Sequence, residues 1–341
     1  MSEITPKKML TMNIYNILKR HSDSVHMLTQ KNIIDLLRTE CGMEVERKAV
    51  KRNLEFLMEA DENIKNDINK PRTNARGEKE IIMSNWYYSN PITDADIHFL
   101  IDSLLSAKNI PMNFLNDMIV HLKGLTNKYF RHIVPKIRTD HCNSDFFLNI
   151  EIIYESINDD KQISFHYNKY DTDKKLHPIT DENGDPKIFI VDPYRTAMTN
   201  GRYYLIGREK DTNTLENYQI DRITDIKKLD TSLRKVKEIE KSFDLSEYVA
   251  EHIYMFSGGS ERVTFRADRI ILSDIVDWFG NAVKFIDHDE KYVTATVKVN
   301  GKAMKYWAIQ YLKYVTVLSP KSLVDDIRST ISGALDNYNK E

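Results

Sequence analysis

The feature of this sequence that most restricts its fold is a tight turn followed by regular alternation of side chains. Asn200-Gly201 is a pair in which both residues tolerate positive φ, and residues 202–208 read Arg-Tyr-Tyr-Leu-Ile-Gly-Arg. A period of two predicts a half-buried strand, and an Asn-Gly turn predicts an antiparallel hairpin. We therefore expect residues 196–198 to pair with residues 202–206.

Further short strands surround this hairpin. Strand patterns cover residues 162–170, 187–191, 196–198, 202–208, 216–220 and 223–229. Short strands separated by turns favour a compact antiparallel barrel over a parallel α/β sheet. Arginines at 195, 202, 208 and 222 flank the hairpin, so we expect the barrel to carry a basic, aromatic-lined face.

Size and charge set limits on what surrounds this barrel. A chain of 341 residues exceeds one ordinary core, so several domains are expected. The net charge is only −2, so a nucleic-acid surface must be a local patch. The sequence has no apolar run of membrane-spanning length and no signal peptide at its N-terminus, and Cys41 and Cys142 predict neither a disulfide nor a zinc site. The cytoplasm is the expected location.

The first 90 residues have the layout of a winged helix-turn-helix. Apolar residues recur at helical spacing over 6–20, 29–41 and 46–59, with Thr29 as the N-cap of the second helix. A recognition helix presents its N-terminal residues to DNA, and the turn-rich loop at 69–79 is typical of a β-wing. The predicted DNA-binding residues are Arg47, Lys48, Lys51, Arg52, Arg72 and Arg76. The alternative is a solvated helix, because glutamates interleave with these cations.

Two further regions are mixed in character. Residues 91–145 predict two amphipathic helices, the first capped by Thr93, that form a spacer or a dimerisation surface. Its histidines, at 121, 132 and 141, are scattered, so no metal site is expected. Residues 243–341 alternate strands with helices, which predicts a small ferredoxin-like sandwich.

Four ordered motifs resemble the WYL domain family. They are Phe165-His-Tyr, Val191-Asp-Pro-Tyr-Arg, Gly201-Arg-Tyr-Tyr-Leu-Ile-Gly and Ile220-Asp-Arg-Ile. The Trp-Tyr-Leu triplet that names the family stands here as Tyr203-Tyr204-Leu205, and Glu216-Asn217 departs from a position where many members carry arginine. Alternation places Tyr203 and Tyr204 on opposite faces of the strand, and which of them faces the pocket stays open.

The resemblance implies an α+β multidomain architecture for nearly the whole chain. Its parts are an N-terminal winged helix-turn-helix (1–90), a helical linker (91–145), an Sm/SH3-like β-barrel with a leading helix that forms the WYL domain (146–232), and a C-terminal ferredoxin-like α/β extension (243–341). Such proteins are homodimeric transcription regulators that bind a double-stranded DNA operator. Their WYL domain is thought to bind an effector that is a nucleotide or single-stranded nucleic acid.

The expected effector site follows from motif position. Arginine forks bind phosphate and tyrosine faces stack on bases. The expected ligand-binding residues are His166, Tyr167, Tyr194, Arg195, Tyr204, Arg208 and Arg222.

Catalysis is not expected, because the sequence has no P-loop, nucleophile elbow, HExxH or paired-cysteine motif. No catalytic residue, metal or cofactor is therefore assigned. The first alternative is an accessory protein that binds single-stranded nucleic acid and modulates an effector nuclease of a phage-defence system. The second is a hydrolase with an unrecognised site.

Overall fold

The computed structural model describes residues 9–73, 79–107, 110–125, 143–212, 214–232 and 244–339. These residues form an α+β protein with several antiparallel sheets. They divide into two compact units, one within 1–106 and 112–138 and the other within 107–111 and 139–341. The expected domain boundaries stay predictions.

The first unit begins with the three expected helices, α1 (Leu10–His21), α2 (Gln30–Cys41) and α3 (Arg47–Ala60). Thr29 caps α2 as predicted, and the Asn32 side chain accepts a hydrogen bond from the Thr29 N–H in return. Gly42 ends the same helix in the left-handed conformation, at φ 61°. The apolar stripes of the three helices share one core that includes Ile14, Ile33 and Leu54.

A two-stranded sheet completes this core. Strands β1 (Ile64–Thr73) and β2 (Lys79–Tyr88) pair antiparallel, and the fully buried Trp86 lies on β2. Trp86 also exchanges two backbone hydrogen bonds of 2.8 Å with Leu28, so an isolated β-bridge ties the segment before α2 to β2. The expected wing residue Arg76 lies outside the described residues, as does the side chain of Arg72.

Helices α4 (Asp94–Ser106) and α5 (Met112–Lys123) follow at the positions expected for the linker. Thr93 caps α4 as predicted: its hydroxyl accepts from the Asp96 N–H, and the Asp96 carboxylate accepts from the Thr93 N–H. The Thr93 hydroxyl also donates to the Asp96 carboxylate at 2.7 Å, and this bond, with the one from the Thr93 N–H, holds the pKa of Asp96 below its usual value. His132, His141 and Cys142 lie outside the described residues.

The second unit opens with helix α6 (Phe146–Asn158) and a sheet that contains the opening hairpin. Its strands are β3 (Lys161–Tyr170), β4 (Leu176–Pro178), β5 (Ile188–Thr199), β6 (Arg202–Glu209), β7 (Leu215–Gln219) and β8 (Ile223–Ser232). Strands β5 and β6 pair as predicted, and Asn200 and Gly201 take φ values of 51° and 71°. Strand β5 is one continuous strand with a bulge at Tyr194, where two separate strands were expected.

The expected closed barrel is wrong for the described residues. Strand order is β4–β3–β5–β6–β7, with β8 also paired to β3, and β7 does not reach β8. The short strand β7 ends in a 3₁₀ turn at Ile220–Arg222, after which the chain crosses to β3. Helix α6 packs Ile153 onto the sheet, so a helix fills the core that strand closure would otherwise enclose.

The C-terminal part of this unit is a second layered structure. A short helix α7 (Leu245–Glu251) leads into β9 (Ser260–Asp268), α8 (Leu272–Phe279), β10 (Lys284–His288), β11 (Tyr292–Asn300), α9 (Gly301–Gln310), β12 (Val315–Ser319) and α10 (Lys321–Tyr338). The sheet order is β10–β11–β9–β12, and both helices α8 and α9 contribute to its core around Phe265 and Trp307. The predictions missed α7 and β4 because each is short.

Two further findings concern the described residues. None of their helices combines the length and the apolar character needed to span a membrane. No group of three or more His, Cys, Asp or Glu side chains is positioned there to hold a metal ion.

The pairing of β5 with β6 makes a specific stability prediction for Gly207. A Cβ at this position would lie 2.8 Å from the Asp192 carbonyl oxygen and 2.5 Å from Val191 Cγ1, so the two strands must separate. We expect Gly207→Ala to lower the free energy of unfolding by about 1–3 kcal/mol, measured by urea denaturation. Gly259→Ala is the matched control, since nothing lies within 4 Å of its added Cβ. Equal stability of the two variants would show that the close approach does not constrain the fold.

Candidate functional site

Gln219, at the end of β7, is the centre of a polar network that joins two of the predicted ligand residues. Its backbone N–H donates to the Tyr167 hydroxyl at 3.0 Å. Its side-chain Nε2 donates to the Tyr204 hydroxyl at 3.3 Å, and its Oε1 accepts from Arg202 at 3.0 Å. The structure thus places Tyr167 and Tyr204 around one residue that the sequence analysis did not single out.

The electrostatics of this network centre on Tyr167 and Arg222. Burial raises the pKa of Tyr167, while the Gln219 N–H and the positive charge of Arg222 oppose the rise. Arg222 is half-buried in the 3₁₀ turn, and its guanidinium lies 5.7 Å from the centre of the Tyr170 ring. Its buried Nε has no hydrogen-bond partner among the described residues. The Arg222 guanidinium therefore retains hydrogen-bonding capacity.

Three other predicted residues cluster on the strand pair β5–β6. Tyr194 is the half-buried bulge residue, and the exposed Arg195 donates to the Tyr194 carbonyl at 3.2 Å. Arg208 lies opposite Asp192, whose fully buried carboxylate accepts from Gln162 at 2.7 Å. The bulge displaces Tyr194 from the ladder, so alternation alone did not fix which way residues 194 and 195 point.

His166 belongs to a different contact. Its Nδ1 lies 3.0 Å from the Lys187 carbonyl oxygen. Lys187 in turn pairs with the buried Glu209 at 2.9 Å, and its ammonium lies 4.4 Å from the centre of the Phe189 ring. Among the described residues, the His166 side chain makes no hydrogen bond to the Gln219 network.

Tyr203 and Tyr204 lie on opposite faces of β6. Tyr204 is buried with Ala197, Ile206 and Met255. Tyr203 is half-buried towards α6, where its hydroxyl lies 2.9 Å from the Tyr154 hydroxyl and 3.0 Å from Thr196 Oγ1. Tyr204 therefore joins the Gln219 network, and Tyr203 joins a separate hydroxyl cluster.

Helix α7 covers the face of the sheet that holds Tyr204. The Tyr248 hydroxyl on α7 donates to Asn217 Oδ1 at 3.0 Å, and the Asn217 N–H donates to Ser257 Oγ at 3.2 Å. Asn217 belongs to the Glu216-Asn217 pair, where the family resemblance leads one to expect arginine. In this chain Asn217 anchors the C-terminal segment to β7, two residues from Gln219.

The predicted DNA-binding residues of α3 differ in their contacts. Arg47 donates to Gln30 Oε1 at 3.0 Å, and Lys51 lies 3.7 Å from Glu55. Lys48 and Arg52 are exposed, and no ion pair to either is found within the described ranges. Phe56, one turn beyond Arg52, is 60% exposed. The helix thus presents an outward stripe of two exposed cations and an exposed aromatic ring.

Comparison with known proteins identifies the central sheet. A family model described as the WYL domain matches residues 149–228, a span from α6 to β8 that contains the Gln219 network. Residues 149–228 are a WYL domain. The match excludes α3 and the C-terminal sheet, so it says nothing of those parts. A search of curated proteins finds no match.

Two solved structures are similar at low identity. One is proteasome accessory factor B/C (PafBC) of Arthrobacter aurescens, at 13% identity, with 96% of this chain and 48% of that chain covered and a TM-score of 0.30. This chain thus spans about half the length of that protein. The other is a CRISPR Cas-related protein, at 13% identity, with 98% and 85% covered and a TM-score of 0.38.

The contact between Tyr248 and the WYL domain predicts a response to alkaline pH. Burial raises the pKa of Tyr248 to about 12, from a usual value of 10.0. Because the folded-state pKa is the higher one, this contribution to stability is complete below pH 10.0 and is lost as the pH rises towards about 12. We expect urea midpoints to fall as the pH rises from 10.0 towards about 12, and less steeply in Tyr248→Phe.

The control for this experiment is Tyr338→Phe, because Tyr338 is 83% exposed. It should leave the pH dependence of the wild-type chain unchanged. Equal pH slopes in Tyr248→Phe and Tyr338→Phe would contradict the prediction.

Proposed function

We propose that this protein is a DNA-binding transcription regulator whose WYL domain binds a nucleotide or nucleic-acid effector. One observation carries the proposal: a WYL domain at residues 149–228 shares a chain with a helical unit whose α3 exposes Lys48 and Arg52. The WYL domain supports effector binding, and the exposed cations of α3 support contact with a polyanion such as DNA.

We assign the N-terminal unit as a winged helix-turn-helix. Its order is α1, the Leu28 bridge to Trp86, α2, α3, β1 and β2. In this class of domain the recognition helix enters the major groove, and flanking elements contact the backbone. The exposed stripe of α3 supplies both cations for phosphate and side chains for base edges.

The Gln219 network is the proposed effector site. Arg222 offers a guanidinium with a buried Nε that lacks a partner in the described part of the chain, and Tyr167 and Tyr204 supply hydroxyls beside it. A guanidinium suits phosphate because its donors form a planar fork. The exposed Arg195 adds a second cation on the bulge of β5.

An effector at Gln219 has a short route to the C-terminal part. Gln219 and Asn217 lie on the same strand, and Asn217 binds both Tyr248 and the Ser257 loop. A ligand changes DNA affinity only by favouring one of two arrangements, so it must bind these arrangements unequally. We assign residues 243–341 as a ferredoxin-like extension, and we propose that the protein is a cytoplasmic homodimer without catalytic activity.

The DNA-binding proposal is tested by removing the two exposed cations of α3. We expect Lys48→Ala plus Arg52→Ala to weaken binding to a duplex from upstream of its own gene by about tenfold or more, and to reduce the salt dependence. Gel-shift titrations at two salt concentrations measure both. Lys313→Ala plus Lys321→Ala removes the same charge elsewhere and should bind as wild type. Unchanged affinity in the α3 variant contradicts the regulator proposal.

A second candidate function is single-strand binding that modulates a defence nuclease. The observation that favours it is the arginine–tyrosine composition of the WYL face, since cations and aromatic rings bind single strands with little sequence preference. Arg195→Ala plus Arg222→Ala should then abolish binding to a single-stranded oligonucleotide. If this loss occurs while duplex binding is non-specific and insensitive to the α3 changes, the second function replaces the first.

A further inference from the structure

A cavity of about 680 Å³ lies between the C-terminal sheet and the helices α7 and α8. It is separate from the Gln219 network, and its size is typical of a site for a small molecule. The lining residues that matter to its chemistry are Arg262, Lys284, Thr296, Lys298, Asp277 and Trp278.

Three cations lie on adjacent strands along one wall of this cavity. Lys298 on β11 lies directly opposite Arg262 on β9. Thr296, two residues before Lys298 on the same strand, lies directly opposite Lys284 on β10. Like charges that face each other across strands destabilise a sheet unless something offsets them. Lys298 is offset by Glu251, at 2.6 Å, with Glu247 at 4.0 Å.

Arg262 and Lys284 have no such compensation. Neither side chain forms an ion pair or a hydrogen bond with another residue of the described segments. The two carboxylates of α7 are already bound to Lys298. The cavity wall therefore carries two positive charges that are available to a ligand.

Thr296 provides a second, independent indication. Its Oγ1 is buried and has no hydrogen-bond partner in the described part of the chain, whereas buried hydroxyls are normally bonded. Thr296 lies directly opposite Lys284. It is two residues from Lys298 on β11, so its side chain points to the same face of the sheet as the Lys298–Arg262 pair. A ligand oxyanion placed here would accept from the hydroxyl, the ammonium and the guanidinium together.

The other wall defines the rest of the ligand. The half-buried Trp278 is held by a hydrogen bond from its Nε1 to the Tyr311 hydroxyl at 3.2 Å, so its ring is fixed beside the cavity. A fixed indole favours an aromatic or apolar body. The exposed Asp277 next to it disfavours a second negative charge at that end.

We propose that this cavity binds a small organic oxyanion, a phosphate monoester or a carboxylate, whose apolar body packs against Trp278. The anionic group lies at Arg262, Lys284 and Thr296. This site does not depend on the DNA-binding or WYL-effector proposals, because it shares no residue with either surface.

The test follows the indole signals of the full-length chain, labelled with ¹⁵N at tryptophan. The chain has 3 tryptophans, of which Trp86 and Trp307 are fully buried elsewhere and serve as internal folding controls. Phenyl phosphate and phenylacetate are the two oxyanion probes, and inorganic phosphate and benzyl alcohol each carry one half of the proposed ligand. We expect the Trp278 signal to shift on addition of phenyl phosphate or phenylacetate. This shift should occur at a lower concentration than with inorganic phosphate or benzyl alcohol.

Variants then locate the anion. Arg262→Ala plus Lys284→Ala should raise the ligand concentration at the midpoint of the Trp278 titration by about tenfold or more. Thr296→Val removes the hydroxyl but keeps the shape of the side chain, and it should raise this midpoint by a smaller factor. Lys313→Ala plus Lys321→Ala is the matched control and should titrate as wild type. Whichever of phenyl phosphate and phenylacetate has the lower titration midpoint shows whether the site prefers a phosphate monoester or a carboxylate.

Three results would overturn the proposal. They are no movement of the Trp278 signal with either ring-bearing oxyanion, a midpoint for benzyl alcohol equal to theirs, and an unchanged midpoint in the Arg262 and Lys284 variant. Unmoved Trp86 and Trp307 signals in that variant show that it is folded, so each result is decisive.

Discussion

The close pairing of β5 with β6 is the constraint on which the second unit depends. Gly207 permits it, because the strands approach so closely there that a methyl group would contact the Asp192 carbonyl. The pairing gives β6 two buried faces, with Leu205 in the core beneath α6 and Tyr204 in the cluster beneath α7. One strand therefore joins two apolar clusters, and a change in its position is felt in both.

Sequence reasoning was most successful where local chemistry decides the structure. The Asn200-Gly201 turn and the Thr29 and Thr93 caps depend on neighbours within a few residues, and all three were predicted correctly. The physical causes of the turn and the caps are backbone φ preferences and short-range hydrogen bonds, which a sequence displays directly. The strand β6 was also predicted, but its expected half-burial is wrong, because residues 204–207 are all buried.

The errors arose where distant segments decide. Whether β7 meets β8 depends on how α6 fills the sheet, and no local pattern reports that packing. Gln219 was likewise not singled out, because its importance comes from Tyr167, Tyr204 and Arg202 on other strands. Among the motif residues, His166 contacts the Lys187 carbonyl instead, although it adjoins Tyr167 in sequence. Adjacent strand residues point to opposite faces, so residues that are neighbours in a sequence motif need not belong to the same binding site.

The departure from the family pattern at Glu216-Asn217 has a structural consequence. The side chain of Asn217 points to the face of the sheet that α7 covers, opposite to the buried Tyr218. It accepts from Tyr248, and the Asn217 backbone N–H binds the Ser257 loop. Positive charge on this face must then come from other positions, and Arg222 lies three residues after Gln219, across the 3₁₀ turn. The Asn217 side chain thus fixes the C-terminal segment to β7 through Tyr248.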